Sequence, residues 1–159
     1  WISSINNICN DSDRLLQIFY SPQPQIKTGI QLRGIASACI DISDGLVADL
    51  GHICQSSAVA ATIYIEQLPI AADVRELDAD NCINWALFGG DEYQLCFTVS
   101  ANNLSTIEQW IDSGELHASK IGTIDKAAKA VNSSTNLVTV LDCNNNPIAV
   151  NKQGYDHFG

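Results

Sequence analysis

Ala38-Cys39-Ile40-Asp41-Ile42-Ser43-Asp44-Gly45-Leu46 is the stretch on which the reading of this chain turns. Ala38 to Ile42 is short, apolar and β-branched at Ile40 and Ile42, which reads as a buried strand. Ser43-Asp44-Gly45 is a turn, and beyond it Leu46, Val47, Leu50, Ile53 and Cys54 recur at helical spacing. A strand therefore delivers its C-terminal end to a helix N-terminus, the elementary unit of α/β architecture.

Upstream, Ser12 or Asp13 can cap a helix running to Tyr20, with Leu15, Leu16 and Phe19 on one face, before Ser21-Pro22-Gln23-Pro24 stops it. A second short helical stretch spans Ile26 to Ala36. Downstream, Val59 to Leu68 reads as a strand ended by Pro69. Asp73 to Leu77 and Asn81 to Phe88 read as helices, the second broken by Gly89-Gly90. Tyr93 to Val99 alternates, with Leu95, Phe97 and Val99 on one buried face. Asn103 is placed to cap a helix from Leu104 to Ser113 that Gly114 terminates. Strands at Ala118 to Ile124 and Leu137 to Leu141 complete the set, with polar turns at 132–136 and 143–147. No internal repeat, long linker or low-complexity run interrupts this order. The fold expected is a single α/β (α+β) domain with a mixed β-sheet flanked by helices.

The chain has 159 residues, 46% of them hydrophobic, which suits one domain with one sizeable core and excludes intrinsic disorder. Eighteen acidic residues against 8 basic ones leave a formal net charge of −10, which excludes an unassisted binder of nucleic-acid phosphates. No apolar run approaches the roughly 18 residues of a membrane span, and no basic stretch followed by an apolar core marks a signal peptide. A soluble, cytoplasmic location is expected. The six cysteines fall at irregular spacing without C-x-x-C and are expected to be reduced, small apolar residues of the core. The absence of methionine leads us to expect a processed form or a fragment.

Three segments can carry chemistry. In Asp41-Ile42-Ser43-Asp44-Gly45, Asp41 is expected at the strand end, Ser43 at the helix cap and Asp44 in the first turn. Free backbone N–H groups and the helix dipole favour anions there. Two carboxylates three residues apart can hold hard divalent cations through oxygen, with phosphate oxygens completing the shell. The plain alternative is an ordinary capped helix beside a surface acid. In Gly89-Gly90-Asp91-Glu92-Tyr93, glycines permit close backbone approach and acids can bind a metal or a cationic ring; a simple helix-to-strand turn is the alternative. Gly154-Tyr155-Asp156-His157-Phe158 places two aromatics and a histidine on a polar tail, which equally reads as a tail pinned by Tyr155 and Phe158. Neither a P-loop nor a strand-linked G-x-G-x-x-G is present, no histidine pair has metal-ligand spacing, and no nucleophile elbow supports a catalytic serine.

Taken in order, residues 38–46, Ala48-Asp49-Leu50-Gly51-His52-Ile53, Ala86-Leu87 with Gly89 to Tyr93, Leu95 to Val99, and the ending Gly154 to Phe158 resemble the C-terminal half of the thiamine-monophosphate kinase family. The resemblance covers most of the chain with gaps, and its order and spacing are more specific than any one motif. That family lies in the aminoimidazole-ribonucleotide-synthetase-like superfamily, whose members join an N-terminal domain, which dimerises and holds much of the ATP and magnesium site, to a C-terminal α/β domain.

The resemblance implies that 1–159 is the C-terminal domain of a two-domain kinase, a homodimer through its N-terminal domain, which phosphorylates thiamine monophosphate to thiamine diphosphate by direct γ-phosphoryl transfer from ATP. It implies Asp41 and Asp44 as Mg2+ ligands, Ser43 as an ATP contact, Asp91 as an acid near the substrate and Tyr155 as an aromatic near the thiamine end. The isolated chain is then expected to be inactive or nearly so. The alternatives are another ATP-using member of the superfamily acting on a different small substrate, or an isolated non-catalytic binding module.

Two departures stand out. The family usually reads Gly-Gly-Glu-Asp-Tyr-Glu where this chain has Gly89-Gly90-Asp91-Glu92-Tyr93-Gln94, so the acids are swapped and Asp91 is shorter by about one methylene. Ser21-Pro22-Gln23-Pro24-Gln25 also lacks the two arginines that the family tends to carry before the first strand.

Overall fold

The computed structural model describes residues 2–3, 20–91, 93–126 and 137–148. Their strands are β1 (Ile2–Ser3), β2 (Ala36–Asp41), β3 (Val59–Tyr64), β4 (Leu95–Val99), β5 (Ala118–Ser119), β6 (Gly122–Lys126), β7 (Val138–Leu141) and β8 (Pro147–Ile148). The helices are α1 (Ile26–Gln31), α2 (Leu46–Ser57), α3 (Ala72–Leu77), α4 (Cys82–Phe88) and α5 (Leu104–Asp112). The expected helix from Ser12 lies outside the described residues except for Tyr20.

The strands divide between two four-stranded sheets, ordered β2-β4-β1-β5 and β6-β3-β7-β8. The first is antiparallel throughout. The second is the mixed sheet, with β3 antiparallel to β6 and parallel to β7. The stretch 118–124, which reads as one strand, is in fact two: β5 joins the first sheet, and after Lys120 and Ile121 the chain enters the second as β6. Ser119-Lys120 and Gly122 interrupt its apolar pattern, and Gly122, where a Cβ would collide with the Thr62 carbonyl oxygen, marks the entry into the second sheet.

Strand β4 explains how the layers assemble. Cys96 faces a core built from Ile42, Leu46, Leu50, Cys54, Ile63, Leu87, Ile121 and Val140, in which α2 packs between the sheets and α4. Phe97, one residue on, faces a second cluster with Leu32, Ile107 and Leu116, under α5. Alternation of side chains across a strand requires this opposition. Both faces of β4 are therefore covered, where the sequence pattern predicts one. The alternation conceals the second face because Cys96 is small and counts only weakly as a core residue.

A bulge in β2 between Ala36 and Ala38 keeps the two faces in step: Ala36 stands opposite Val99 beside the second cluster, and Ile40 opposite Cys96 beside the first. Strand β2 is the edge of its sheet, so Cys39 and Asp41 are exposed rather than buried. Cys143 is exposed as well, against the expectation of core thiols, which holds for Cys54, Cys82 and Cys96. Burial pushes the Cys96 thiol up to about 11, leaving it protonated and inert at neutral pH. Asn103 does not cap α5 with its side chain. Its amide instead donates to the Ile35 carbonyl at 2.8 Å and ties the start of α5 to the entry of β2. Among the described residues, no helix is long and apolar enough to cross a membrane.

Candidate functional site

The two acidic motifs meet at one end of the first sheet. Beyond the last β2–β4 pair, Asp41 opposite Leu95, the strands continue as paired loops. The Ile42 N–H donates to the Gln94 carbonyl at 2.8 Å, the Tyr93 N–H to the Ile42 carbonyl at 2.9 Å, and the Asp91 N–H to the Ser43 carbonyl at 3.0 Å. Loop 42–45 and loop 89–94 are thereby laced together through their backbones.

Glycine makes the approach possible. A Cβ on Gly90 would collide with the Ser43 carbonyl oxygen, and Gly45 takes φ +109° with the backbone of Phe88 only 3.0 Å from where its Cβ would stand. Asp91 and Tyr93 themselves adopt left-handed backbone angles, φ 60° and 52°, a conformation that costs a non-glycine residue roughly 1–2 kcal/mol. The Tyr93 hydroxyl donates to Asp91 Oδ1 at 3.2 Å. That bond and the Asp91 charge raise the Tyr93 hydroxyl above its ordinary range, and the Asp41 carboxylate adds to the effect.

Helix α2 starts at Leu46 with Gly45 as its cap residue, so Ser43 does not cap it as the sequence suggests. The turn is held from within the helix instead. Asp49, 2% exposed, accepts the Ser43 N–H at 2.9 Å and the Asp44 N–H at 3.1 Å on one oxygen, Oδ2. Burial raises the Asp49 carboxyl, the two amide bonds pull it down, the Asp44 charge raises it and His52 lowers it. These amides, which the sequence presents as free for an anion, are occupied by the protein's own carboxylate.

Ligand atoms of Asp44, Asp49 and His52 lie within 4.8 Å of one another, and Asp41 stands outside that cluster at the exposed end of β2. The sequence reading passes over Asp49 and His52 as site residues. Their i, i+3 spacing, which puts both on one face of α2, is the signal that could have found them. The donor chemistry fits a hard cation: carboxylate oxygens on half-buried Asp44 and exposed Asp41 can contribute the one or two protein ligands that magnesium takes alongside phosphate oxygens. Asp91 is exposed on the adjoining loop. Tyr155 lies outside the described residues.

The chain is similar to known proteins over most of its length. Residues 19–132 match the family model described as AIR synthase related protein, C-terminal domain. A thiamine-monophosphate kinase of Buchnera aphidicola subsp. Schizaphis graminum is 38% identical over 152 residues, which is 95% of this chain and 44% of that protein. The crystal structure of thiamine-monophosphate kinase from Stenotrophomonas maltophilia K279a is 36% identical with a TM-score of 0.72, over 84% of this chain and 40% of that one. A structure described as AaThiL complexed with AMPPCP and TMP is 28% identical with a TM-score of 0.71, over 97% of this chain and 44% of that one. The chain thus spans less than half the length of these relatives. By the match over 19–132, most of its length, the chain belongs to the AIR synthase related protein C-terminal domain family.

Proposed function

We propose that this chain is the C-terminal half of a cytoplasmic thiamine-monophosphate kinase, which transfers the γ-phosphoryl group of ATP to thiamine monophosphate. The complete enzyme is a homodimer through an N-terminal domain. The observation that carries the reading is the backbone lacing of loops 42–45 and 89–94, which gathers the acidic motifs of Asp41, Asp44 and Asp91 at one edge. Relatives described as thiamine-monophosphate kinases, and one described as complexed with AMPPCP and TMP, support it.

Phosphoryl transfer demands positioning and charge neutralisation more than covalent chemistry. Magnesium held by Asp41 and Asp44 would supply that neutralisation. Ser43 has its N–H and carbonyl engaged by Asp49 and Asp91, so the group it offers the nucleotide is its hydroxyl. Asp91 presents a carboxylate to the cationic thiazolium, steadied by the Tyr93 hydroxyl at 3.2 Å. Tyr155, which lies outside the described residues, is the aromatic assigned to the thiamine end.

The test is formation of thiamine diphosphate from thiamine monophosphate, ATP and magnesium by the full-length protein. Asp41→Asn and Asp44→Asn are each expected to lower turnover by about 10²-fold, the scale of removing one preorganised electrostatic contact. Unchanged turnover in both variants overturns the metal assignment, and absence of the reaction in the parent overturns the proposed function.

A further inference from the structure

We propose that Asp49 is a positioning residue for both loops of the site, fixing the metal-side and substrate-side residues together through its buried Oδ2. The inference rests on the functional reading above for its kinetic consequence but on geometry alone for its structural one. One buried oxygen, Asp49 Oδ2, receives the amides of Ser43 and Asp44 from six and five residues upstream. The Ser43 carbonyl in turn receives the Asp91 N–H at 3.0 Å. A single chain of hydrogen bonds therefore runs from the body of α2, through the peptide groups flanking Ser43, to the loop that carries Asp91.

Each link has a reason to matter. The carboxylate lies in the first turn of α2, where negative charge is favoured by the helix dipole. It is almost fully buried, so its hydrogen bonds face little competition from water. It also fills the place at the Ser43–Asp44 amides that an external anion would otherwise take, which prevents a phosphate from binding there and shifting the turn. Gly45 at φ +109° follows directly, and a turn with that freedom needs an anchor on its other side.

The experiment compares Asp49→Ala and Asp49→Asn in the full-length protein. Amide hydrogen exchange at Ser43, Asp44 and Asp91 is expected to quicken by about tenfold or more in Asp49→Ala, relative to Ile63 in the second sheet. Asp49→Asn keeps an acceptor oxygen and is expected to restore most of that protection. In steady-state assays, Asp49→Ala is expected to raise both the magnesium concentration for half-maximal rate and the KM for thiamine monophosphate, whereas a merely destabilised enzyme would lose kcat alone. Unchanged exchange at the three amides overturns the proposal, as does a loss of kcat with both concentration dependences intact. If Asp49→Ala does not fold, Asp49→Leu, which keeps the volume but has no acceptor oxygen, replaces it: quickened exchange at these amides supports the proposal and unchanged exchange overturns it. A parent without kinase activity would remove the functional reading and leave the exchange result standing.

Discussion

Gly90 shows how much of this site depends on atoms that are not there. Its neighbour across the loops is a carbonyl oxygen, which cannot rotate aside as a side chain can. Gly90→Ala must therefore push loop 89–94 away from loop 42–45 and stretch the Asp91 N–H···Ser43 bond. A cost of about 1–3 kcal/mol is expected, as for other overpacked positions. Thermal unfolding of the variant measures it; a melting temperature equal to that of the parent would show that the loops have more room than their backbones indicate. At this scale the sequence is informative about which residues matter and silent about how they are held. Asp41, Ser43, Asp44 and Asp91 are legible as polar groups at element ends, but the role of Asp49 is not, because a buried acid inside a helix looks the same in sequence as a solvated one.

Elements are legible wherever one period dominates. Helix α2 follows from its apolar spacing and runs from Leu46 to Ser57, three residues beyond Cys54, and β7 lies within the expected 137–141. Two of the misreadings share a cause: they concern partners distant in sequence. Whether 118–124 is one strand or two depends on which sheet each part joins, and whether Asn103 caps its helix depends on the Ile35 carbonyl, 68 residues away. Short connections follow local rules more faithfully. Asp142 accepts the N–H groups of Asn144 and Asn146, each at 2.8 Å, in the turn between β7 and β8. Asp78 does the same between α3 and α4 with the Asn81 side chain and the N–H groups of Asn81 and Asp80. The Asn81 side chain at Asp78, and the Asn146 amide at Asp142, hold these carboxyls below their ordinary range. A depressed folded-state value means that the stabilisation is present above the unfolded value, about 3.9, and is lost as pH falls through the folded one. The melting temperature is expected to drop as the pH is lowered below about 4, and to drop less in the Asp78→Asn, Asp142→Asn double variant. Identical acid profiles for the two proteins would contradict this.

At the scale of the whole molecule, the first sheet carries a hydrophobic cluster on each face and joins them through β4. Ile107, fully buried in the cluster under α5, lies away from the acidic loops. Ile107→Ala is expected to cost about 2–5 kcal/mol. Because Cys96 and Phe97 are consecutive residues in opposite clusters, the variant should still unfold in one step, with circular dichroism and tryptophan fluorescence giving the same midpoint. Separate midpoints would mean that the clusters melt independently. The lacing of the two loops has one more implication, for how such a domain can diverge. Peptide groups do the fastening, and every amino acid except proline brings both the donor and the acceptor. The side chains at 41, 43, 44 and 91 are thus decoupled from the frame that displays them, and an exchange such as Asp for Glu at 91 leaves the fastening as it was. A lineage inheriting this scaffold is free to rewrite what the site recognises one position at a time, provided that the glycines and the buried acid behind it are passed on unchanged.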